Sequence, residues 1–156
     1  MRQQFVTTVS EIMDRDNRVV LLLGDIGVHG FREVFKKHPK RIYNVGICEQ
    51  TMVGMAAGLA MAGFIPILHT IVPFLVERAY EQIKDDFGYQ ELKGNFVGVD
   101  VSESQPNLGY THYTPYDTLI LSHILNLKSF TPNTPQEFDS VFKDNYDKGL
   151  NYIRIK

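Results

Sequence analysis

The sequence predicts a three-layer α/β domain, in which a parallel sheet carries helices on both faces. Short apolar runs alternate with longer helix-like stretches along the whole chain. The run RVVLLLGD at residues 18–25 is apolar without alternation, which is typical of a strand buried on both faces of a parallel sheet. No repeat, low-complexity tract or linker interrupts this pattern, so we expect one domain over residues 1–156.

The elements follow the order expected of repeated strand–helix–strand units. Residues 1–16 have an amphipathic helical pattern rather than that of a signal peptide. Strands are predicted at the apolar runs 18–25, 41–45, 65–70, 95–101, 127–131 and 152–156. Helices are predicted at 30–38, 48–62, 73–87, 114–125 and 134–148. The last helix begins with a capping signal, because Thr134 is followed three residues later by Glu137 and Pro135 suits the first helical position.

Composition narrows the range of partners. The net charge is −2, and charged residues make up 22% of the chain, so nothing indicates binding to nucleic acid or to a membrane surface. No apolar run reaches the ~18 residues that a spanning helix needs. The one cysteine, Cys48, excludes an internal disulfide and favours a reducing compartment. We therefore expect a cytoplasmic protein whose ligands are small molecules.

The parallel arrangement predicts where a ligand would bind. In open α/β sheets, ligands bind beyond the carboxyl ends of the strands. This rule directs attention to four segments, at residues 25–27, 46–50, 69–74 and 102–112.

The helix predicted at 48–62 combines a carboxylate with small residues. Gly54 and Gly58 lie four residues apart, and so share a face that would let another backbone approach closely. That face could pack within the chain or form a subunit interface, and the pattern leaves both open. Glu49, in the first turn, could be a surface cap that the helix dipole favours. It could also be a partly buried carboxyl that shares a proton with a ring nitrogen of a ligand.

Several segments together resemble the transketolase family, and in particular the pyrimidine-binding domain of thiamine-diphosphate enzymes. The resemblance rests on RIYNVGICEQ at 41–50, continued by MVGMAAGLA at 52–60. It extends to LGD at 23–25, FLVERAYEQI at 74–83, GYTH at 109–112 and the final strand at 150–156. The Gly-Ile-x-Glu-Gln block is the most specific of these motifs. The fold implied is the pyrimidine-binding domain fold of these enzymes.

The resemblance implies roles in cofactor activation. Glu49 matches the glutamate that hydrogen-bonds ring nitrogen 1′ of the aminopyrimidine of thiamine diphosphate. Phe74 matches the aromatic residue that stacks on this ring. Asp25 matches a position near the cofactor and the substrate channel.

Three further residues are implied to contact substrate. His112 matches the histidine of the Gly-x-Thr-His loop, for which we expect a catalytic and substrate-binding role. Arg78 could face a substrate phosphate, but pairing with Glu77 or Glu81 is the favoured interpretation. His69 is a substrate-binding candidate from its position at the edge of the sheet alone.

The resemblance also implies a partner. In this family a second domain holds the cofactor diphosphate and its Mg²⁺ through a Gly-Asp-Gly…Asn motif, which this sequence lacks. We therefore expect a separate diphosphate-binding subunit to carry the Mg²⁺ ligands, in an assembly with a homodimeric contact or as a heterotetramer. The implied activity is transfer of a two-carbon ketol unit between sugar-type substrates. The alternatives are a 2-oxo acid decarboxylase or deoxyxylulose-phosphate-synthase-like subunit, or a non-catalytic binding or regulatory relative.

Overall fold

A single six-stranded sheet forms the centre of the computed structural model, which describes residues 1–102 and 104–156. Position 103, within one of the predicted edge segments, lies outside the described residues. The described strands all pair in parallel, in the order β2-β1-β3-β4-β6-β5. Their bounds are β1 (Val19–Leu23), β2 (Ile42–Asn44), β3 (Ile65–Ile71), β4 (Gly94–Val99), β5 (Leu127–Phe130) and β6 (Leu150–Ile155). The predicted parallel α/β sheet is confirmed.

Helices cover both faces of this sheet. The α-helices are α1 (Arg2–Arg15), α2 (Arg32–Lys37), α3 (Glu49–Met61), α4 (Val72–Val76), α5 (Tyr80–Gln82), α6 (Asp117–Leu121) and α7 (Pro135–Asn145). A π-helix spans Ile83–Tyr89 and a 3-10 helix spans Pro106–His112. Side chains of α1, α2 and α7 pack with one face of the sheet in a first apolar core. Side chains of α3 to α6 and the π-helix pack with the other face in a second core.

The helix predicted over 73–87 is not continuous, and that prediction is wrong. α4 ends at Val76, a turn spans residues 77–79, α5 begins at Tyr80, and π-helical turns follow from Ile83. A π-helical turn holds more residues than an α-helical turn. In this π-helix, Phe87 and Gly88 are buried. The consequence for the site is that residues 77–79 form an irregular connection between α4 and α5.

The predicted cap of α7 is confirmed. The hydroxyl of Thr134 accepts a hydrogen bond from the backbone N–H of Glu137, and the carboxylate of Glu137 accepts one from the N–H of Asn133. Within the described part of the chain, no helix is both long and apolar enough to cross a membrane.

Candidate active site

The carboxyl ends of β1 to β4 bring the four expected segments to one edge of the sheet. Because neighbouring strands are parallel, the chain leaves each of them on the same side. β2 leads to Glu49 at the start of α3, and β3 runs directly into α4, which carries Phe74. β4 leads through the segment after Val99 to the 3-10 helix that ends at His112.

Glu49 is a buried carboxylate, with 3% of its side chain exposed. It is the first residue of α3, and it lies on the same face as the core residues Met52, Val53 and Ala56. The positive end of the helix dipole favours a carboxylate in this turn. Burial, in contrast, removes the charge from water and makes a compensating partner necessary. Glu49 is therefore more than a surface cap.

The partner of Glu49 is Arg78. Nη1 of Arg78 lies 3.4 Å from Oε1 and 3.3 Å from Oε2 of Glu49. The guanidinium also covers the ring of Phe74, with Cζ 3.7 Å from the ring centroid. The favoured pairing of Arg78 with Glu77 or Glu81 is wrong, because Arg78 pairs with Glu49 instead.

His112 also contacts the ring of Phe74. The centroids of Phe74 and His112 are 4.8 Å apart, and the two rings meet edge to face. Nδ1 of His112 is 2.9 Å from the hydroxyl of Thr111. The 3-10 helix is interrupted at Gly109, whose φ of 70° is a conformation that favours glycine. The structure thus joins Glu49, Arg78, Phe74 and His112 in one chain of contacts.

His112 lines a surface pocket of about 380 Å³. Its other lining residues are Ser102, Gln105, Pro106, Gly109, Tyr110 and Tyr113. The pocket would place a small molecule beside the ring of His112, on the side of the Gly-Tyr-Thr-His segment. The sequence analysis assigned no role to Tyr110 or Tyr113, since an exposed aromatic residue in a loop carries no periodic signal.

Asp25 lies at the same edge, but its contacts are with β2. Its backbone N–H donates to the side-chain oxygen of Asn44, and the amide of Asn44 donates back to Oδ1 of Asp25. Asn44 also accepts from the N–H of Gly46. Asp25 is exposed and has a φ of 59°. Asn44 therefore links the turns that follow β1 and β2 through hydrogen bonds. The sequence analysis missed this role, although Asn side chains commonly bond nearby backbone in turns.

His69 is placed on the opposite face of the sheet from Glu49. Its ring packs against Phe5 of α1, with centroids 4.6 Å apart, and Nδ1 lies 2.8 Å from the carbonyl oxygen of Val97. Burial disfavours the imidazolium and lowers the pKa of His69 to about 4, although the Val97 carbonyl acts in the other direction. His69 is therefore a neutral ring that lines a cavity of about 190 Å³ with Gly27 and Phe31. Phe74 packs against the same apolar core as the lining residues Phe5 and Phe31, whereas Glu49 belongs to a helix on the other face of the sheet.

A second charged cluster lies past the ends of β4 and β6. Arg154 contacts Asp100 at 2.6 Å and Asp117 at 2.5 Å, and the hydroxyl of Tyr152 also donates to Asp117. Ser102 donates to Asp100 through both its hydroxyl and its N–H. Burial and the Asp117 charge raise the pKa of Tyr152 well above its usual value, so the phenol stays protonated as a donor. Sequence reasoning did not find this cluster.

The small-residue face of α3 does not pack within the described part of the chain. A Cβ added at Gly54 or at Gly58 would meet no atom within 4 Å. Large apolar side chains are exposed nearby on and around α3, at Ile47, Met55, Met61 and Phe64. Among the described residues, none packs against this face at Gly54 or Gly58.

The chemistry of the Glu49 group fits a flat, nitrogen-rich ring. A planar cation already lies on Phe74 with its N–H groups toward a buried carboxylate, and an aminopyrimidine could make the same two contacts. By contrast, the described residues contain no group of three or more His, Cys, Asp or Glu side chains that could hold a metal ion.

Comparison with known proteins identifies the family of this chain. The sequence profile described as "Transketolase, pyrimidine binding domain" matches residues 1–154. A 33.6 kDa uncharacterized protein of the fasciation locus of Rhodococcoides fascians is 38% identical over 97% of this chain and 49% of its own length. A subunit of the apulose-4-phosphate transketolase of Actinobacillus succinogenes is 35% identical over 76% of this chain and 37% of its own. A 1-deoxy-D-xylulose-5-phosphate synthase of Oleidesulfovibrio alaskensis is 33% identical over 89% and 22%, respectively.

Solved structures share the fold. A split-gene transketolase, described as an inactive β4 tetramer, superposes with a TM-score of 0.86 at 26% identity over 98% of this chain and 50% of that one. Transketolase of Campylobacter jejuni superposes with a TM-score of 0.83 at 15% identity, over 98% of this chain and 24% of that one. The present chain thus spans half or less of the length of these relatives. It belongs to the family of transketolase pyrimidine-binding domains.

Proposed function

We propose that this chain is a subunit of a two-chain thiamine-diphosphate-dependent enzyme that transfers a two-carbon ketol unit between sugar-type substrates. The observation that carries the proposal is the buried carboxylate of Glu49, which faces a planar cation stacked on Phe74. Membership of the family supports thiamine diphosphate as the cofactor. When bound, this cofactor supplies the carbanion and the electron sink for two-carbon transfer.

Glu49 would hold a proton against ring nitrogen 1′ of the aminopyrimidine. A charge-assisted hydrogen bond gains strength away from water, and the 3% exposure of Glu49 provides such surroundings. Phe74 would support the face of the ring and fix its height above α4. The start of α3 keeps the carboxyl on the sheet side of the helix, so its position is set by the core and not by a mobile loop.

His112 would act on the substrate beside the ring. Its imidazole lies at the mouth of the 380 Å³ pocket and against the edge of Phe74, where it can hydrogen-bond a substrate hydroxyl and hold or release a proton there. Asp25 would border the channel from the end of β1. Arg78 and His69 remain candidates for contacts with more distant substrate groups, and His69 could only act as a neutral acceptor through Nε2.

A separate diphosphate-binding subunit would complete the site and carry the Mg²⁺ ligands. Two relatives are named as transketolase subunits, one from Actinobacillus succinogenes and a 6-deoxy-6-sulfo-D-fructose transketolase subunit from a Clostridium species, which supports a partner chain. The exposed face of α3 around Gly54 and Gly58 would form a contact between subunits, within a homodimeric core or a heterotetramer. The single, exposed thiol of Cys48 suits a cytoplasmic enzyme.

Two other functions use the same fold. The match to 1-deoxy-D-xylulose-5-phosphate synthases supports a subunit that acts on a 2-oxo acid, because that activity would use the same Glu49 and Phe74 geometry. A non-catalytic relative would have no physical need for a buried carboxylate that faces a stacking ring.

Calorimetry tests the two-chain proposal. The chain alone is expected to bind thiamine diphosphate no tighter than roughly millimolar, since the roughly nine non-hydrogen atoms of the aminopyrimidine group at ~0.4 kcal/mol each supply only ~4 kcal/mol. Adding a candidate diphosphate-binding subunit with Mg²⁺ should bring the affinity to micromolar. Tight, Mg²⁺-dependent binding to this chain by itself would contradict the two-chain arrangement.

A further inference from the structure

We infer that Arg78 occupies the pyrimidine position of this site in the free chain and must swing away before a cofactor ring can bind. The inference rests on the proposed function, since it concerns the same ring site. Both groups are planar and carry N–H donors. Each would stack on Phe74 and face Glu49, so they compete for one volume.

The distances show that the two occupants exclude each other. The guanidinium carbon lies 3.7 Å above the centroid of Phe74, which is the thickness of one stacked layer. Nη1 faces both carboxylate oxygens of Glu49. A pyrimidine stacked on this face, with ring nitrogen toward Glu49, would need the space that the guanidinium fills.

Arg78 is held weakly enough to leave. Its distances to Glu49, 3.3 and 3.4 Å, are longer than the 2.7–2.9 Å that is usual for charged pairs. Its side chain is 42% exposed, and among residues 1–102 and 104–156 it has no hydrogen-bond partner except Glu49. Arg78 lies in the turn at residues 77–79 that joins α4 to α5.

The arrangement keeps Glu49 paired at all times. A buried carboxylate without a partner is costly, and Arg78 compensates it while the site has no ring. The cofactor ring then replaces Arg78 as the hydrogen-bond donor. If Arg78 fills the site about nine-tenths of the time, only a tenth of the molecules can bind at once, and the apparent dissociation constant rises about tenfold.

Binding of thiamine, which carries the pyrimidine without the diphosphate, measures this competition on the full chain. We expect Arg78→Ala to bind thiamine about three- to tenfold more tightly than the parent. NMR chemical-shift changes at the Phe74 and His112 rings measure this binding. Lys84→Ala removes an exposed cation that pairs with Asp85 in the π-helix, and serves as the matched control with unchanged binding. Adding methylguanidinium should weaken thiamine binding to Arg78→Ala and leave the parent nearly unaffected.

Each outcome decides one question. Equal or weaker thiamine binding by Arg78→Ala, at the same ring signals, would overturn the competition and leave the ring site intact. Absence of thiamine shifts at Phe74 and His112 in every variant, up to tens of millimolar, would contradict the ring site and with it the proposed function. Arg78→Lys keeps the charge beside Glu49 but cannot stack as a plane, so it should give intermediate tightening even if the alanine variant fails to fold.

Discussion

Arg78 and Arg154 are both arginines that face buried carboxylates at the carboxyl edge of the sheet, yet their surroundings differ. Arg154 contacts two carboxylates, at 2.5 and 2.6 Å, and only 17% of its side chain is exposed. Arg78 contacts one carboxylate, at 3.3 and 3.4 Å, and 42% of its side chain is exposed. Arg154 is therefore enclosed by its partners, whereas Arg78 lies on the solvent-exposed side of the candidate ring site.

This difference separates a structural ion cluster from a displaceable one. The carboxylates around Arg154 are also bonded by Ser102 and by the phenol of Tyr152, so their acceptor positions are largely filled. Glu49 has Arg78 as its only side-chain donor in the described part of the chain. Filled networks make a fold rigid, and a carboxylate with one loose partner can exchange it for a ligand.

Removal of Arg154 should produce the largest loss of folding free energy. Arg154→Met leaves Asp100 and Asp117 without their cation, and breaking a buried pair in this way typically costs ~3–5 kcal/mol. Arg78→Met is the matched variant and should cost less than Arg154→Met, because it leaves one buried carboxylate without its cation rather than two, and the contacts that it removes are longer. Urea unfolding of both variants measures the contrast, and equal losses would contradict the division into a structural and a displaceable arginine.

A smaller effect is expected from the acid dependence of the Arg154 cluster. Burial acts to raise the pKa of Asp100, but hydrogen bonds from Ser102 and Arg154 outweigh it and hold the pKa below the usual 3.8. The folded state therefore binds this proton less readily than the unfolded chain. The stabilisation is complete above about pH 4 to 5 and is lost as the pH falls below 3.8 toward the folded value.

Asp100→Asn tests this dependence, since it removes the titrating group and keeps its size. The variant should lose stability less steeply than the parent between about pH 4 and pH 2. Unfolding free energies from urea titrations at several pH values give the slope. A parent-like slope in Asp100→Asn would mean that Asp100 does not contribute to acid unfolding.

The sequence predicted the sheet and the position of Glu49 well, because both depend on local patterns. Continuous apolar runs marked the buried strands, and the motif around Glu49 located the start of α3. A one-dimensional pattern could not reveal the partner of Glu49. Arg78 is 29 residues away, in the turn that interrupts the helix predicted over 73–87.

The Arg154 cluster was missed for a similar reason. Its partners lie 37 and 54 residues from Arg154, at Asp117 and Asp100. Asp100 and Asp117 belong to no motif, and the Asp100–Arg154 pair forms only once β4 and β6 lie side by side in the sheet. Long-range ion pairs depend on strand order, which the alternation of strands and helices leaves open.

Proton exchange tests the proposed activation of the cofactor by Glu49 most directly. In the complex with a diphosphate-binding subunit, exchange of the thiazolium proton with deuterated solvent isolates activation from substrate chemistry. Glu49→Gln keeps the shape and can hydrogen-bond, but it cannot share a proton with ring nitrogen 1′ in the same way. Exchange should therefore slow by about 10²–10⁴, while Glu77→Gln, an exposed neighbour, should exchange like the parent. Parent-like exchange in Glu49→Gln would contradict the proposed activation.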